Sequence, residues 1–159
     1  RFKSLLISAD GEKYSPEGFE DSLTDGSKYI DQVVLHNNQD PYTTVIVVPN
    51  KEALKEYVKS SNPGVDIDSR EAKELMLKKI QDEVNSYSKG GSRAGMFPER
   101  WLPAAIIVAD EPFTEQNHMV NSTMKIVRGK VEKHYADRIE YALTPEGKNL
   151  LNDKNIASL

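Results

Sequence analysis

The sequence predicts an α+β domain: an N-terminal β-hairpin, then a small central sheet of about three strands covered by helices. Three observations predict it. Apolar runs of strand length, rich in Val and Ile, occur at Tyr29–His36, Thr43–Val48 and Trp101–Ala109. Between the second and third, Ala72, Leu75, Met76, Ile80, Val84 and Tyr87 recur at the spacing of one helix face. The elements run hairpin, helix, two strands, two helices, strand, helix, an order that places helices against a sheet. A chain of 159 residues is long enough to bury one core.

The elements follow in order. Phe2–Ala9 is apolar with a polar break, and Asp10-Gly11 followed by Glu12-Lys13-Tyr14 predicts a tight hairpin turn. Ser15 is expected to cap a helix with Pro16 in its first position, and Asp25-Gly26 to end it. Asn37–Pro41 reads as the turn between two strands. Asn50 is expected to cap a short helix with Ala53, Leu54, Tyr57 and Val58 on its apolar face. Asp68 or Ser69 opens the longest helix, running to about Tyr87. Ser88–Gly95 is a Gly/Ser-rich stretch without the Gly-Lys-Ser/Thr order of a P-loop, so an exposed loop is expected. Val131, Tyr135, Ile139 and Ala142 mark one face of the next helix, and Thr144-Pro145-Glu146 starts a terminal one with Leu150 and Leu151.

Charge and composition limit the function. With 21 Lys and Arg against 25 Asp and Glu, the net charge of −4 argues against a dedicated nucleic-acid binder. A local basic stretch remains: Lys125, Arg128, Lys130, Lys133 and Arg138 against Glu132 and Asp137. The absence of cysteine excludes disulfides, thiolate metal sites and a cysteine nucleophile, and fits a reducing, cytoplasmic setting. His36, His118 and His134 fall in different elements without metal-ligand spacing, so no metal site is expected. Glu12, Glu17 and Glu20 read as a solvated face and first-turn acids. No apolar run approaches the roughly 20 residues of a membrane span. The chain opens on Arg1 directly into a strand-like pattern, which reads as part of something longer.

One stretch points to chemistry. Asn121-Ser122-Thr123-Met124-Lys125 puts a lysine on a short polar turn before the basic helix. A compact ammonium so placed suits a phosphate or carboxylate.

Residues at both ends give that lysine a context. Arg1, Lys3, Gly11, Glu12, Pro16 and Glu20 resemble, at the right spacing, a signature of AMP-forming acyl-CoA synthetases, Gly-Arg-x-(Asp/Lys)-Asp-x-Ile followed by Gly-Glu-x-x-x-Pro-x-x-Ile-Glu. Ser4 replaces an acid and Phe19 an isoleucine. Thr43–Pro49 followed by Asn50 resembles the family's Ala-Leu-Val-x-Pro-Asn segment. Pro112-Phe113-Thr114 through Thr123-Met124-Lys125 is similar to the long-chain branch, where Phe-Thr and Thr-Pro-Thr-Met/Leu-Lys precede a basic helix. Departures are Val127 where a second lysine is common, Asn121-Ser122 in place of Thr-Pro, and a longer 88–95 loop.

The resemblance implies residues 1–159 form the mobile C-terminal domain of a long-chain fatty acid:CoA ligase, divided as hinge and hairpin (1–14), body (15–143) and tail helix (144–159). It implies that Lys125 is the adenylation lysine, Lys3 the hinge and Arg1 a neighbour of the nucleotide ribose. Ser8, Gly11, Glu12 and Tyr14 would form the hairpin that borders the CoA tunnel in the thioester-forming pose. ATP and Mg²⁺ would be bound mainly by the N-terminal adenylation domain of the same polypeptide, with fatty acid and CoA as substrates. The domain alone would be inactive. The full enzyme would be cytoplasmic with peripheral membrane contact. Two alternatives remain open: transfer to acyl carrier protein, and a stand-alone module whose basic helix binds anionic partners.

Overall fold

A computed structural model of the chain describes residues 5–159. The hairpin forms as expected. Strand β1 (Leu6–Ser8) pairs antiparallel with β2 (Lys13–Tyr14), Leu6 opposite Tyr14. Helix α1 (Glu17–Gly26) follows, then β3 (Ile30–His36), β4 (Asn38–Asp40) and β5 (Thr44–Pro49). Helices α2 (Lys51–Ser61) and α3 (Arg70–Val84) lead to β6 (Ala105–Val108), and α4 (Arg128–His134), α5 (Ala136–Ala142), α6 (Pro145–Lys148) and α7 (Asp153–Ala157) complete the chain.

The central sheet has the order β3-β5-β6, with β5 antiparallel to β3 and parallel to β6. Strands β5 and β6 are buried at every position, as is the Val33–Leu35 stretch of β3, because both faces are covered. Val33, Leu35, Val45, Val47, Ile106 and Val108 pack into one core with Leu23 of α1, Leu54 of α2 and Leu77 and Ile80 of α3. Val34, Ile46, Val48 and Ile107 pack into a second with Phe113, Met119, Val131, Tyr135 and Ile139. Each buried aliphatic side chain stabilises this arrangement by about 1.5–3 kcal/mol relative to exposure.

Asn50 and Ser69 cap α2 and α3 as expected, accepting from the amides of Ala53 at 3.1 Å and Ala72 at 3.2 Å. Other expectations need correction. Ser15 does not cap α1; Pro16 already has helical backbone angles, its carbonyl accepts the amide of Glu20, and no side chain caps this end. The segment read as a plain turn contains β4, which pairs parallel with β1 (Ile7 opposite Asn38), making a second sheet in the order β2-β1-β4. The last strand starts at Ala105, not Trp101. Pro103 lacks the amide a ladder needs, and Trp101 sits in a 3-10 turn, stacked on Tyr14 at 5.3 Å. The long helix ends at Val84 and passes into a 3-10 turn through Tyr87. The helix after Lys125 breaks at Tyr135, yet Val131, Tyr135, Ile139 and Ala142 are all buried. The tail is two short helices, with Leu150 and Leu151 between them.

The 88–95 loop is pinned rather than loose at one point: Arg93 donates to the carbonyl of Gly26 at 2.8 Å and to the Tyr87 hydroxyl at 3.2 Å.

Candidate functional site

The lysine loop grows out of the second core. After β6 the chain is clipped to β3 by an amide side chain: Phe113 N donates to Gln32 Oε1 at 2.8 Å, and Gln32 Nε2 donates to the Phe113 carbonyl at 3.1 Å. Met119 and Val120 are then buried. Val120 and Ile126 form an antiparallel bridge, and the Val127 amide donates to the Met119 carbonyl at 2.8 Å. The residues between, 121–125, are tied by one side chain. Asn121 Oδ1 accepts from the amides of Thr123 and Lys125, both at 3.0 Å, and from Thr123 Oγ1 at 2.7 Å. Asparagine suits such a site because its short carboxamide replaces the backbone partners a tight loop lacks. The Asn121 amide donates to the Lys125 carbonyl at 2.9 Å.

Lys125 therefore projects from a closed, hydrogen-bonded loop. Its side chain is exposed, and among the described residues no carboxylate pairs with it. Two apolar neighbours flank it, Met124 at 74% exposure and Ile126 at 36%.

Three residues on, Arg128 opens α4 and reaches back to α1. Its Nη1 and Nη2 donate to Glu20 Oε2 and Oε1 at 2.8 and 2.7 Å, a bidentate fork. The same pair takes both backbone groups of Leu35: its amide donates to Glu20 Oε2 at 2.7 Å, and its carbonyl accepts from Arg128 Nη1 at 3.0 Å. Since β3 is an edge strand of the central sheet, the ion pair finishes an otherwise open edge. Burial pushes the Glu20 carboxyl above its ordinary value, opposed by the guanidinium. Burial pulls Arg128 down, but the bonds and charge of Glu20 more than offset this and hold it above its ordinary value. Glu20, expected on a solvated face, is thus buried. The signal was its place beside Phe19 in the Pro-x-x-Phe-Glu run. One turn further along α4, Glu132 bonds His36 Nδ1 at the end of β3, and His36 Nε2 lies 3.5 Å from Asp40.

The hairpin turn is equally organised. The Ser8 amide donates to the Glu12 carbonyl at 2.8 Å, while the Gly11 amide donates to the Ser8 carbonyl at 3.0 Å. Ser8 Oγ donates to Asp10 and accepts from the Glu12 amide at 3.0 Å. Gly11 has φ +90°, in the region glycine favours. The Ser8 hydroxyl holds the Asp10 carboxyl below its ordinary value. Arg100 grips Glu12 with two bonds, at 2.7 and 2.8 Å, and holds that carboxyl down as well.

Ser8, Gly11 and Glu12 are therefore together at the hairpin tip. Tyr14 is not presented with them: it is 2% exposed, with its hydroxyl bonded to Thr43 and accepting from Asn37 Nδ2. It anchors the hairpin from below. The base of the hairpin and the start of the lysine helix share a cleft of about 380 Å³, lined by Leu5, Ile7, His36, Arg128, Gly129 and Glu132. Arg1 and Lys3 lie outside the described residues. Among the described residues no three His, Asp or Glu side chains converge as a metal-ligand set.

Known proteins place this architecture. Over residues 3–146 the chain matches the family described as the AMP-binding enzyme C-terminal domain. It is 29% identical over 141 residues to the probable acyl-activating enzyme 16, chloroplastic, of Arabidopsis thaliana, covering 88% of this chain and 18% of that protein. It is 25% identical over 142 residues to long chain acyl-CoA synthetase 8 of the same plant, covering 87% and 19%. The crystal structure of the adenylation domain of a carboxylate reductase from Mycobacterium chelonae matches with a TM-score of 0.60 and 26% identity, over 86% of this chain and 19% of that chain. The chain spans about a fifth of the length of the curated relatives it matches. With a match that runs from the hairpin through the central sheet to the lysine loop and beyond, this chain belongs to the AMP-binding enzyme C-terminal domain family.

Proposed function

We propose that this chain is the C-terminal domain of a long-chain fatty acid:CoA ligase, in which Lys125 serves adenylation and the hairpin serves thioester formation. The observation that supports this best is the presentation of Lys125: an exposed ammonium without an ionic partner among the described residues, on a loop closed by the Val120–Ile126 bridge and the Asn121 carboxamide. In adenylation a fatty acid carboxylate oxygen attacks the α-phosphorus of ATP, and pyrophosphate leaves with the electrons of the broken P–O bond. Negative charge builds on the transferring phosphoryl oxygens, and a positioned ammonium offsets it. Met124 and Ile126 would exclude water around that charge once a partner domain closes over them. Thioester formation then needs the CoA sulfur to attack the acyl carbonyl and AMP to depart. That step is assigned to the hairpin, whose tip is set by Ser8, Gly11 and Glu12. Mg²⁺ would be held with ATP mainly by the N-terminal adenylation domain; among the described residues of this chain no three His, Asp or Glu side chains converge to hold it.

The test uses the full-length enzyme with palmitate as the acid. Lys125→Ala should abolish ATP–pyrophosphate exchange while sparing thioester formation from supplied palmitoyl-adenylate. Normal exchange in that variant would refute the assignment. Comparing CoA with acyl carrier protein as acceptor in the same assay decides between the two acyl-transfer readings.

A further inference from the structure

We infer that the buried Glu20–Arg128 ion pair positions Lys125, setting the direction in which the lysine loop leaves the domain. This rests on the adenylation reading of Lys125. The loop has two roots. On one side it is held by the second core, through Met119, Val120 and the Val127–Met119 hydrogen bond of 2.8 Å. On the other it runs through Val127 straight into Arg128, the first residue of α4.

Apart from Val131, buried in the second core, the first turn of α4 carries little that would fix it otherwise. No side chain caps its start, and Gly129 and Lys130, which follow Arg128, are exposed. The rest of its fixation comes from charged contacts. Arg128 is clamped between Glu20 of α1 and the Leu35 carbonyl of β3, at 2.7 to 3.0 Å, and Glu132 holds His36 one turn later. A planar guanidinium bonded on two edges has no freedom to swing, whereas a lysine in its place would keep the charge and lose the fork.

The pair is poorly arranged for stability alone. Arg128 Nε is buried without a hydrogen-bond partner, and so is Glu17 Oε2, which lies 3.9 Å from Arg128 Nη2. Buried ion pairs with unsatisfied groups contribute little net stability compared with apolar packing of the same volume. Their directional geometry is what an apolar replacement lacks. Here that geometry links three elements, α1, β3 and α4, at the root of the lysine loop.

The experiment compares half-reactions in the full-length enzyme, with palmitate, ATP and separately supplied palmitoyl-adenylate. Arg128→Lys keeps a cation beside Glu20, and Glu20→Gln keeps the shape of the acid. Each should lower the kcat of ATP–pyrophosphate exchange by roughly 100-fold, the loss expected for displacing a reacting group by about 1 Å. The KM for ATP should change little, and thioester formation from palmitoyl-adenylate should stay close to the parent rate, because that step does not use Lys125. Amide exchange should quicken at Lys125 and Val127 in both variants. Parent-level pyrophosphate exchange in both variants overturns the inference while Lys125→Ala still supports the adenylation reading. Equal loss of both half-reactions in the milder Arg128→Lys variant also overturns it, since that outcome marks a folding role only. Normal exchange in Lys125→Ala removes the adenylation reading, and this inference with it.

Discussion

At the hairpin tip, two residues govern whether the turn holds its shape. Glu12 is gripped by Arg100 across the surface, and the grip depends on charge. Its carboxyl is held below the ordinary value of 4.5, first by the hydrogen bonds from Arg100 and then by that residue's charge. A depressed carboxyl contributes order that is fully present above its unfolded value and lost as pH falls through the lower folded one. The carboxyl ¹³C titration of Glu12 should therefore have its midpoint below 4.5 in the parent and return toward that value in Arg100→Ala. Identical midpoints would mean the ion pair is only a surface contact of no consequence. Gly11 tests the backbone instead. A Cβ there would meet nothing within 4 Å, so crowding is not the issue; φ of +90° is. Gly11→Ala should cost about 1–2 kcal/mol from the left-handed backbone, read as a shift in the urea midpoint. Amide exchange should quicken at Ser8 and Glu12.

Among the elements, β6 shows how an edge strand is finished by a side chain. Asn155 of α7 is 1% exposed. Its Oδ1 accepts from the Val108 amide and its Nδ2 donates to the Ile106 carbonyl, both at 3.0 Å, so one carboxamide mimics a neighbouring strand. Arg138 Nη2 adds a bond of 2.8 Å to the same oxygen. Asn155→Leu would leave two buried backbone groups unpaired, at about 1–3 kcal/mol each. The urea midpoint should fall accordingly, by much more than for substitution of exposed Lys154. An unchanged midpoint would show that water replaces the carboxamide. The same two edges mark where the sequence was readable and where it was not. Strands β3 and β5 and helices α2 and α3 were legible because apolar residues recur at fixed periods and Asn50 and Ser69 sit at their starts. Strand β4 was not, since Asn38, Gln39 and Asp40 have no apolar pattern and pair through backbone alone. Asn155 was not, and Glu20 only through its place beside Phe19, because polar residues that finish a sheet edge look like surface residues in one dimension. Lys125 was legible as a loop lysine, while the contacts that hold its loop, Asn121 and Arg128, are tertiary facts.

For the whole molecule, the charge distribution decides between a catalytic domain and a module that binds anions through its basic helix. The stretch from Lys125 to Arg138 holds five basic residues in the sequence, but folding consumes two of them. Arg128 is forked to Glu20, and Arg138 donates to Asn155 and Ser158. What faces outward is Lys125, Lys130 and Lys133, beside exposed Asp137 and Glu140, on a chain of net charge −4. Release of counterions by so few lysines gives a weak and shallow salt dependence, and the overall negative charge opposes it. The isolated chain should therefore show no salt-sensitive binding to a single-stranded RNA by fluorescence anisotropy, and no co-sedimentation with phosphatidylserine vesicles at low salt. A dissociation constant in the range of about 10⁻⁶–10⁻⁴ M, weakening steeply with salt as non-specific polyanion binding does, would instead favour the anion-binding reading. In that case the three outward lysines, substituted together, should abolish the binding. If Lys125 is instead kept for a phosphoryl group presented by a partner domain, its charge matters only once water is excluded around it, and an open surface lysine on an acidic chain gives no such environment.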